Sequence, residues 1–160
     1  MITREALPSE IPIIHSLARK IWIDHYPAII SMEQIEYMLE MMYSEVALQK
    51  KMSEGHRFFI LEEEKKDVGY LSFSHQGDGN YFLHKLYIDT KQHRKGFGNF
   101  FFDDVFNRLE NLKTIRLTVN RTNHKAINYY FKKEFTIEEV KDFDIGNGFV
   151  MNDFVMLYKK

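Results

Sequence analysis

The chain has 160 residues, with 22 Lys and Arg set against 23 Asp and Glu for a formal net charge of −1. That balance weighs against a dedicated nucleic-acid binder, which carries a basic excess, and 44% hydrophobic with 15% aromatic content weighs against disorder. The absence of cysteine removes disulfides, thiolate metal sites and a cysteine nucleophile, and it suits a reducing compartment.

The length fits a single domain, residues 1–160, with a sizeable core. The opening Met1-Ile2-Thr3-Arg4-Glu5 lacks the apolar run of a signal peptide. No apolar stretch approaches the roughly 18 residues of a membrane span. A cytoplasmic protein with no membrane or nucleic-acid partner is expected.

In chain order, residues 2–6 read as a short strand. Pro8-Ser9-Glu10 opens a helix in which Ile11, Ile14, Leu17, Ala18 and Ile21 share a face. Pro27 interrupts it. Ser31 is a helix cap with Gln34 at the reciprocal capping-box position, and Ile35, Met38, Leu39 and Met42 follow at helical spacing. Residues 44–53 continue as a third helical piece. The period then changes to two: strand 57–62, a charged turn Glu63–Asp67, strand 68–74, a Gly-rich turn 76–80 and strand 81–89. After a glycine loop and a helix come strand 114–119 and helix 123–132. Strands 135–143 and 149–158 close the chain around a Gly146-Asn147-Gly148 turn. The pattern is α+β, with a mixed sheet and no repeats.

The segment Lys91-Gln92-His93-Arg94-Lys95-Gly96-Phe97-Gly98-Asn99 stands between a strand and a helix. Basic residues and glycines at a helix N-terminus describe an anion cradle: first-turn N–H groups lack intrahelical partners, and the helix dipole favours negative charge. The spacing does not complete a dinucleotide fingerprint, since Phe101 stands at the third glycine, and no P-loop Gly-Lys-Ser/Thr is present. Taken alone, the glycines equally suit a relaxed strand-to-helix turn.

The order of strand, loop, helix and strand, with His93-x-x-Gly96-x-Gly98 and then Asn123-x-x-Ala126-x-x-x-Tyr130, resembles the GNAT superfamily of acetyl-CoA-dependent N-acetyltransferases. Leu83-His84-Lys85-Leu86-Tyr87-Ile88 is similar to the strand before the loop in branches that include polyamine acetyltransferases. The family's loop usually begins with Gln or Arg where this chain has His93, and Glu134 stands where a glycine often precedes the final aromatic. The resemblance implies a mixed, mostly antiparallel central sheet flanked by helices on both faces. It also implies that His93, Arg94, Lys95, Gly96, Phe97, Gly98 and Asn99 hold the pyrophosphate of acetyl-CoA. The backbone of Leu86, Tyr87 and Ile88 would pair with the pantetheine arm, as in strand addition, and Asn123 would bond the cosubstrate from the head of its helix.

Acetyl transfer to an amine also needs a proton for the leaving thiolate and a base for the amine. The resemblance and acid–base logic assign Tyr130 as general acid: a phenol of ordinary pKa about 10 is protonated at neutral pH. His84 is a candidate base, with Glu62, Tyr87 and water as alternatives, and packing is the competing reading of both Tyr130 and His84. Without cysteine, direct attack in a ternary complex is expected. The seven histidines show no metal-ligand spacing, so no metal is expected. Trp22, His25, Tyr26 and Met38, with Asp142, Asp144 and Asp153, are candidates for an acceptor groove that would suit a cationic amine. The acids read more simply as solvated strand ends. A small-molecule amine and a protein amino group both stay open as acceptor. Exposed aromatics and the final strand are candidates for a homodimer contact. A non-catalytic acyl-CoA-binding module is the alternative function, and a nucleotide or sugar-phosphate binder is a third.

Overall fold

The computed structural model describes residues 1–92 and 96–160, in two compact units: Met1–Ser74 with Lys85–Leu109, and His75–His84 with Glu110–Lys160. In the first unit, β1 (Ile2–Glu5) pairs antiparallel with β2 (Arg57–Glu63), and β2 pairs antiparallel with β3 (Lys66–His75). The C-terminal half of β4 (Asn80–Ile88) follows β3 in strand order. Glu64 and Lys65 both take positive φ, which makes a two-residue turn whose twist matches the strands. The turn is therefore shorter than the five charged residues suggest, and Glu63 already pairs with Lys66.

The helices of this unit follow the apolar periods. A single 3-10 turn at Pro8–Glu10 leads into α1 (Ile11–His25), which buries Ile11, Ile14, Leu17, Ala18, Ile21 and Trp22. Each such aliphatic side chain contributes about 1.5–3 kcal/mol when fully buried. Pro27 lies in a 3-10 turn, Tyr26–Ala28, that ends the helix. Ser31 caps α2 (Met32–Tyr43) by accepting from Gln34 N, but the Gln34 amide nitrogen is directed at Met38 Sδ, 3.9 Å away. Tyr43, not Met42, is the last buried residue of α2. Ser44 then caps α3 (Glu45–Ser53). After the donor strand and loop, α4 spans Phe97–Phe106 and buries Phe97, Phe101, Phe102 and Val105. It stops before Leu109 because Arg108 N and Leu109 N bond three residues back, tightening the chain out of the helix.

The second unit holds the N-terminal half of β4, then β5 (Thr114–Asn120), β7 (Phe149–Lys159) and β6 (Thr136–Gly146) in that order, with α5 (His124–Lys132) between β5 and β6 in sequence. The β4–β5 pair is parallel, from Asn80↔Thr114 to Leu83↔Leu117, while β5–β7 and β6–β7 are antiparallel. The Gly146, Asn147 and Gly148 turn has three positive φ values in succession. Among the described residues, seven strands in a mixed, mostly antiparallel arrangement with five α-helices match the α+β expectation.

Candidate active site

In the first unit, Leu86, Tyr87 and Ile88 end β4. Gly69 on β3 lets this stretch lie close: a Cβ there would sit 2.7 Å from Tyr87 O and 2.6 Å from Ile88 Cδ1. Asp89, which follows, is only 5% exposed; its N–H donates to Val68 O, and its carboxylate accepts from Lys20 Nζ and from Lys91 N. Burial works against the Asp89 charge, but the Lys20 hydrogen bond and the Lys91 amide outweigh it and hold the carboxyl below its usual range. The exit from β4 toward the loop is thus pinned to α1.

His93, Arg94 and Lys95 lie outside the described residues. Gly96 heads α4 in the left-handed conformation, φ +79°, which glycine adopts without a Cβ clash. The described helix ladder begins with Phe100 N donating to Gly96 O. Among the described residues no side chain caps this end, and its first turn holds no acid. An added Cβ at either Gly96 or Gly98 would meet none of the described residues within 4 Å. A helix head with no built-in anion and open space above its glycines fits a pyrophosphate.

Also in the first unit, α1, α2, β3 and β4 bring five aromatics together. Trp22 lies 4.4 Å from Tyr26, 5.2 Å from Tyr43 and 5.9 Å from Tyr87, ring centre to ring centre. Tyr70 stacks on Tyr87 at 5.2 Å and meets Tyr43 edge-on at 5.8 Å. The Tyr26 and Tyr87 hydroxyls are 2.9 Å apart. Burial pushes the Tyr43 and Tyr70 phenols well above their ordinary range. His25 meets Tyr26 edge-on, and Met38 is core. Strand alternation puts Lys85 on the face of β4 that Tyr87 occupies, and its Nζ stands 3.9 Å from the centre of the Tyr43 ring. His84 points to the opposite face and lies 4.7 Å from the Phe82 ring.

In the second unit, Tyr130 is nearly buried on α5, ringed by Tyr129 at 5.4 Å and Phe135 at 5.5 Å. Asn123 is the N-cap of that helix, and its side-chain oxygen accepts from Ala126 N. Asp142 is exposed, pairs with Arg121 and accepts from Asn152; Asp144 is exposed and closes its own turn through Gly146 N. Asp153 differs: it is 4% exposed, and burial lifts its carboxyl to about 6. The simple reading of the late acids therefore describes Asp142 and Asp144 but not Asp153.

Trp22 and Tyr26, named from the sequence with His25 and Met38 for an acceptor groove, stand beside Tyr87, named there as a donor-strand residue and alternative base. Tyr43, Tyr70 and Lys85 join them unannounced. A signal for Lys85 existed. Tyr81, Leu83, Lys85 and Tyr87 form one period-two set, so a lysine occupies an otherwise apolar, inward-facing row.

Comparison with known proteins places this geometry. No curated protein matches the chain. Among solved structures, similar folds include the PaiA N-acetyltransferase of Thermoplasma acidophilum in complex with coenzyme A, with a TM-score of 0.82, 22% identity and coverage of 99% of this chain and 98% of that one. A GCN5-related N-acetyltransferase from Rhodopseudomonas palustris matches with a TM-score of 0.81, 15% identity and coverage of 99% and 95%. The ribosomal-protein-S18-alanine N-acetyltransferase of Escherichia coli matches with a TM-score of 0.76, 16% identity and coverage of 99% and 92%. The family model for the acetyltransferase (GNAT) domain matches residues 28–153, most of the chain. With that match added to the glycine-headed α4 after β4, the chain belongs to the GNAT family of acetyl-CoA-dependent acyltransferases.

Proposed function

We propose that residues 1–160 form one N-acetyltransferase domain that moves an acetyl group to a primary amine by direct attack in a ternary complex. The observation that carries this reading is the acid-free, glycine-headed start of α4, the next helix after the donor strand in a GNAT chain, with no side-chain cap among the described residues. Acetyl-CoA supplies an acetyl group activated as a thioester. The amides from His93 to Asn99, with the Arg94 and Lys95 charges, hold its pyrophosphate. The backbone of Leu86, Tyr87 and Ile88 binds the extended arm, and an N–H of that run steadies the carbonyl oxygen as it gains charge.

Tyr130 gives the phenolic proton that the leaving sulfur requires, and the cap at Asn123 fixes the helix that carries it. His84 is one candidate for the group that unloads the acceptor's ammonium. The acceptor is a small-molecule amine or a protein amino group, and the aromatic set of α1 and β4 suits a cationic one. The cysteine-free composition suits work in a reducing cytoplasm. Among the described residues no helix is long and apolar enough to cross a membrane.

The test is an amine panel with free-thiol release as readout, run on the parent and on Tyr130→Phe. The parent is expected to release thiol with at least one amine. The variant keeps the ring contacts to Tyr129 and Phe135 but not the proton, so its turnover is expected to fall about a hundredfold with acetyl-CoA affinity nearly unchanged. Equal turnover would remove Tyr130 from the mechanism. Tight CoA binding without turnover on any amine would favour a CoA-binding module instead.

A further inference from the structure

Lys85 combines three features that a surface lysine does not have together. It sits on the residue before Leu86, where the proposed donor-binding run of β4 begins. Its ammonium nitrogen lies over the Tyr43 ring at 3.9 Å, within the aromatic set of Trp22, Tyr26, Tyr70 and Tyr87. Among the described residues no carboxylate lies within ion-pair distance of it; the charged group that acts on it is another cation, Lys51 of α3. A half-buried ammonium with a cationic neighbour and only a π face for compensation is a poor resting place for a proton.

We propose that Lys85 is the base that takes the proton from the acceptor's ammonium group, which deepens the acetyl-transfer reading above and rests on it. The N–H proton of the bound ammonium passes to neutral Lys85 Nζ. The nitrogen pair thereby released attacks the thioester carbonyl, a C–N bond forms and the C–S bond breaks. The departing sulfur takes a proton from the acid, and the second N–H proton lost by the attacking nitrogen returns to that acid by way of water. Lys85 gives its own proton to water, so one proton is released in all. Burial and the Lys51 charge lower Lys85 from 10.5 to about 7, so the neutral form this step requires is present at physiological pH.

A purely structural role has a different signature. If Lys85 served only to cover the Tyr43 ring, arginine would do as well, because a guanidinium stacks on aromatic faces at least as readily. Arginine does not give up its proton. Lys85→Arg therefore separates the two roles, and Lys85→Met provides a second variant should the larger side chain disturb the packing.

The charged and titratable groups around Lys85 are Tyr43 of α2, Lys51 of α3, and His56 ahead of β2, whose own pKa is lowered by burial, Lys51 and Lys85. Glu54 acts on His56 in the opposite sense. His56→Gln is the control for a histidine origin of any inflection near neutrality.

The experiment measures kcat/KM for an accepted amine from pH 5.5 to 9, with thiol release as readout, and follows the lysine side chains of the parent by carbon-13 NMR. The parent's acid limb should bend near pH 7 and persist in His56→Gln. Lys85→Arg and Lys85→Met should lose that limb and at least about a hundredfold in kcat/KM at pH 7.5, with acetyl-CoA affinity unchanged. An active parent whose limb survives in Lys85→Arg assigns the proton to another group, such as His84, and overturns the proposal alone. So does a Lys85 signal that titrates with the ordinary lysines. A parent that releases no thiol with any amine overturns the acetyl-transfer reading, and the base with it.

Discussion

The heads of α4 and α5 meet the same physical problem in opposite ways. Every helix begins with N–H groups that have no partner inside it. At α5 the chain supplies its own answer: Asn123 accepts from Ala126 N, Asn120 accepts from Thr122 N and Oγ1, and Arg121 is held by Asp142, which also takes Asn152. At α4 the cap is Gly96, with no side chain to offer, no acid in the first turn and, among the described residues, nothing within 4 Å of a Cβ at Gly98. One helix is capped by a side chain of its own, and the other is headed by a glycine. The second motif therefore carries its own side-chain cap, while the first ends in a glycine that has none to offer.

Supplying the missing anion at α4 should break this contrast most strongly. Gly98→Glu places a carboxylate in the first turn, where the helix dipole welcomes it by about 0.3–1 kcal/mol. The open space at Gly98 admits the side chain. Thermal stability is then expected to hold or rise slightly, while acetyl-CoA affinity falls at least about a hundredfold by like-charge repulsion at the same end. Calorimetric binding and a melting curve on one sample check both. A loss of stability accompanying the loss of affinity would instead mark Gly98 as a packing residue.

The region of the capped head carries a different vulnerability. Asp153, across from Asn120 on the β5–β7 ladder, is buried and titrates at about 6, against 3.8 for the free side chain. The folded chain therefore binds an extra proton between those values, and stability falls as pH rises from about 4 to about 6. The penalty is in full force at neutral pH. Asp153→Asn removes the titration and is expected to flatten that decline and raise stability at pH 7 by about 3 kcal/mol, since each tenfold change in proton affinity between the folded and unfolded chain corresponds to roughly 1.4 kcal/mol. Urea melts at pH 4 and pH 7 give the two numbers. An unchanged slope would show that another group carries it.

The element order was legible because each element declares itself locally: apolar residues at Ile11, Ile14, Leu17, Ala18 and Ile21 need only a helix to share a face, and Gly146-Asn147-Gly148 needs only a hairpin. The glycine head of α4 was legible for the same reason, since Gly96, Gly98 and the lack of acids are adjacent in sequence. Lys85 and Asp153 were not. Their unusual titration comes first from burial by other segments: Lys85 is covered and is repelled by Lys51 of α3, and at Asp153 burial outweighs the Thr118 hydrogen bond and the Arg121 charge, which oppose the shift. Burial is a property of packing between elements, and periodicity in one strand says only which face a side chain takes. Asp142 and Asp144 stand on the neighbouring strand and stay exposed, so even residue type and strand position together do not distinguish them from Asp153.

Asn123 tests the contrast at its finest point, because sequence resemblance gives it to the cosubstrate and the geometry gives its oxygen to Ala126 N. Loss of an N-cap costs about 1 kcal/mol, and for a chain of this size that corresponds to a fall of about 2–4 °C in Tm. Asn123→Ala is expected to show that fall with acetyl-CoA affinity unchanged, and Asn123→Asp, which keeps a capping oxygen, should restore Tm. If the alanine variant loses affinity while aspartate restores only stability, the amide nitrogen is serving the cosubstrate. If aspartate restores both, affinity was lost through the cap: a frayed first turn of α5 would shift Tyr130, two turns further along, and the effect would appear in turnover before it appeared in binding.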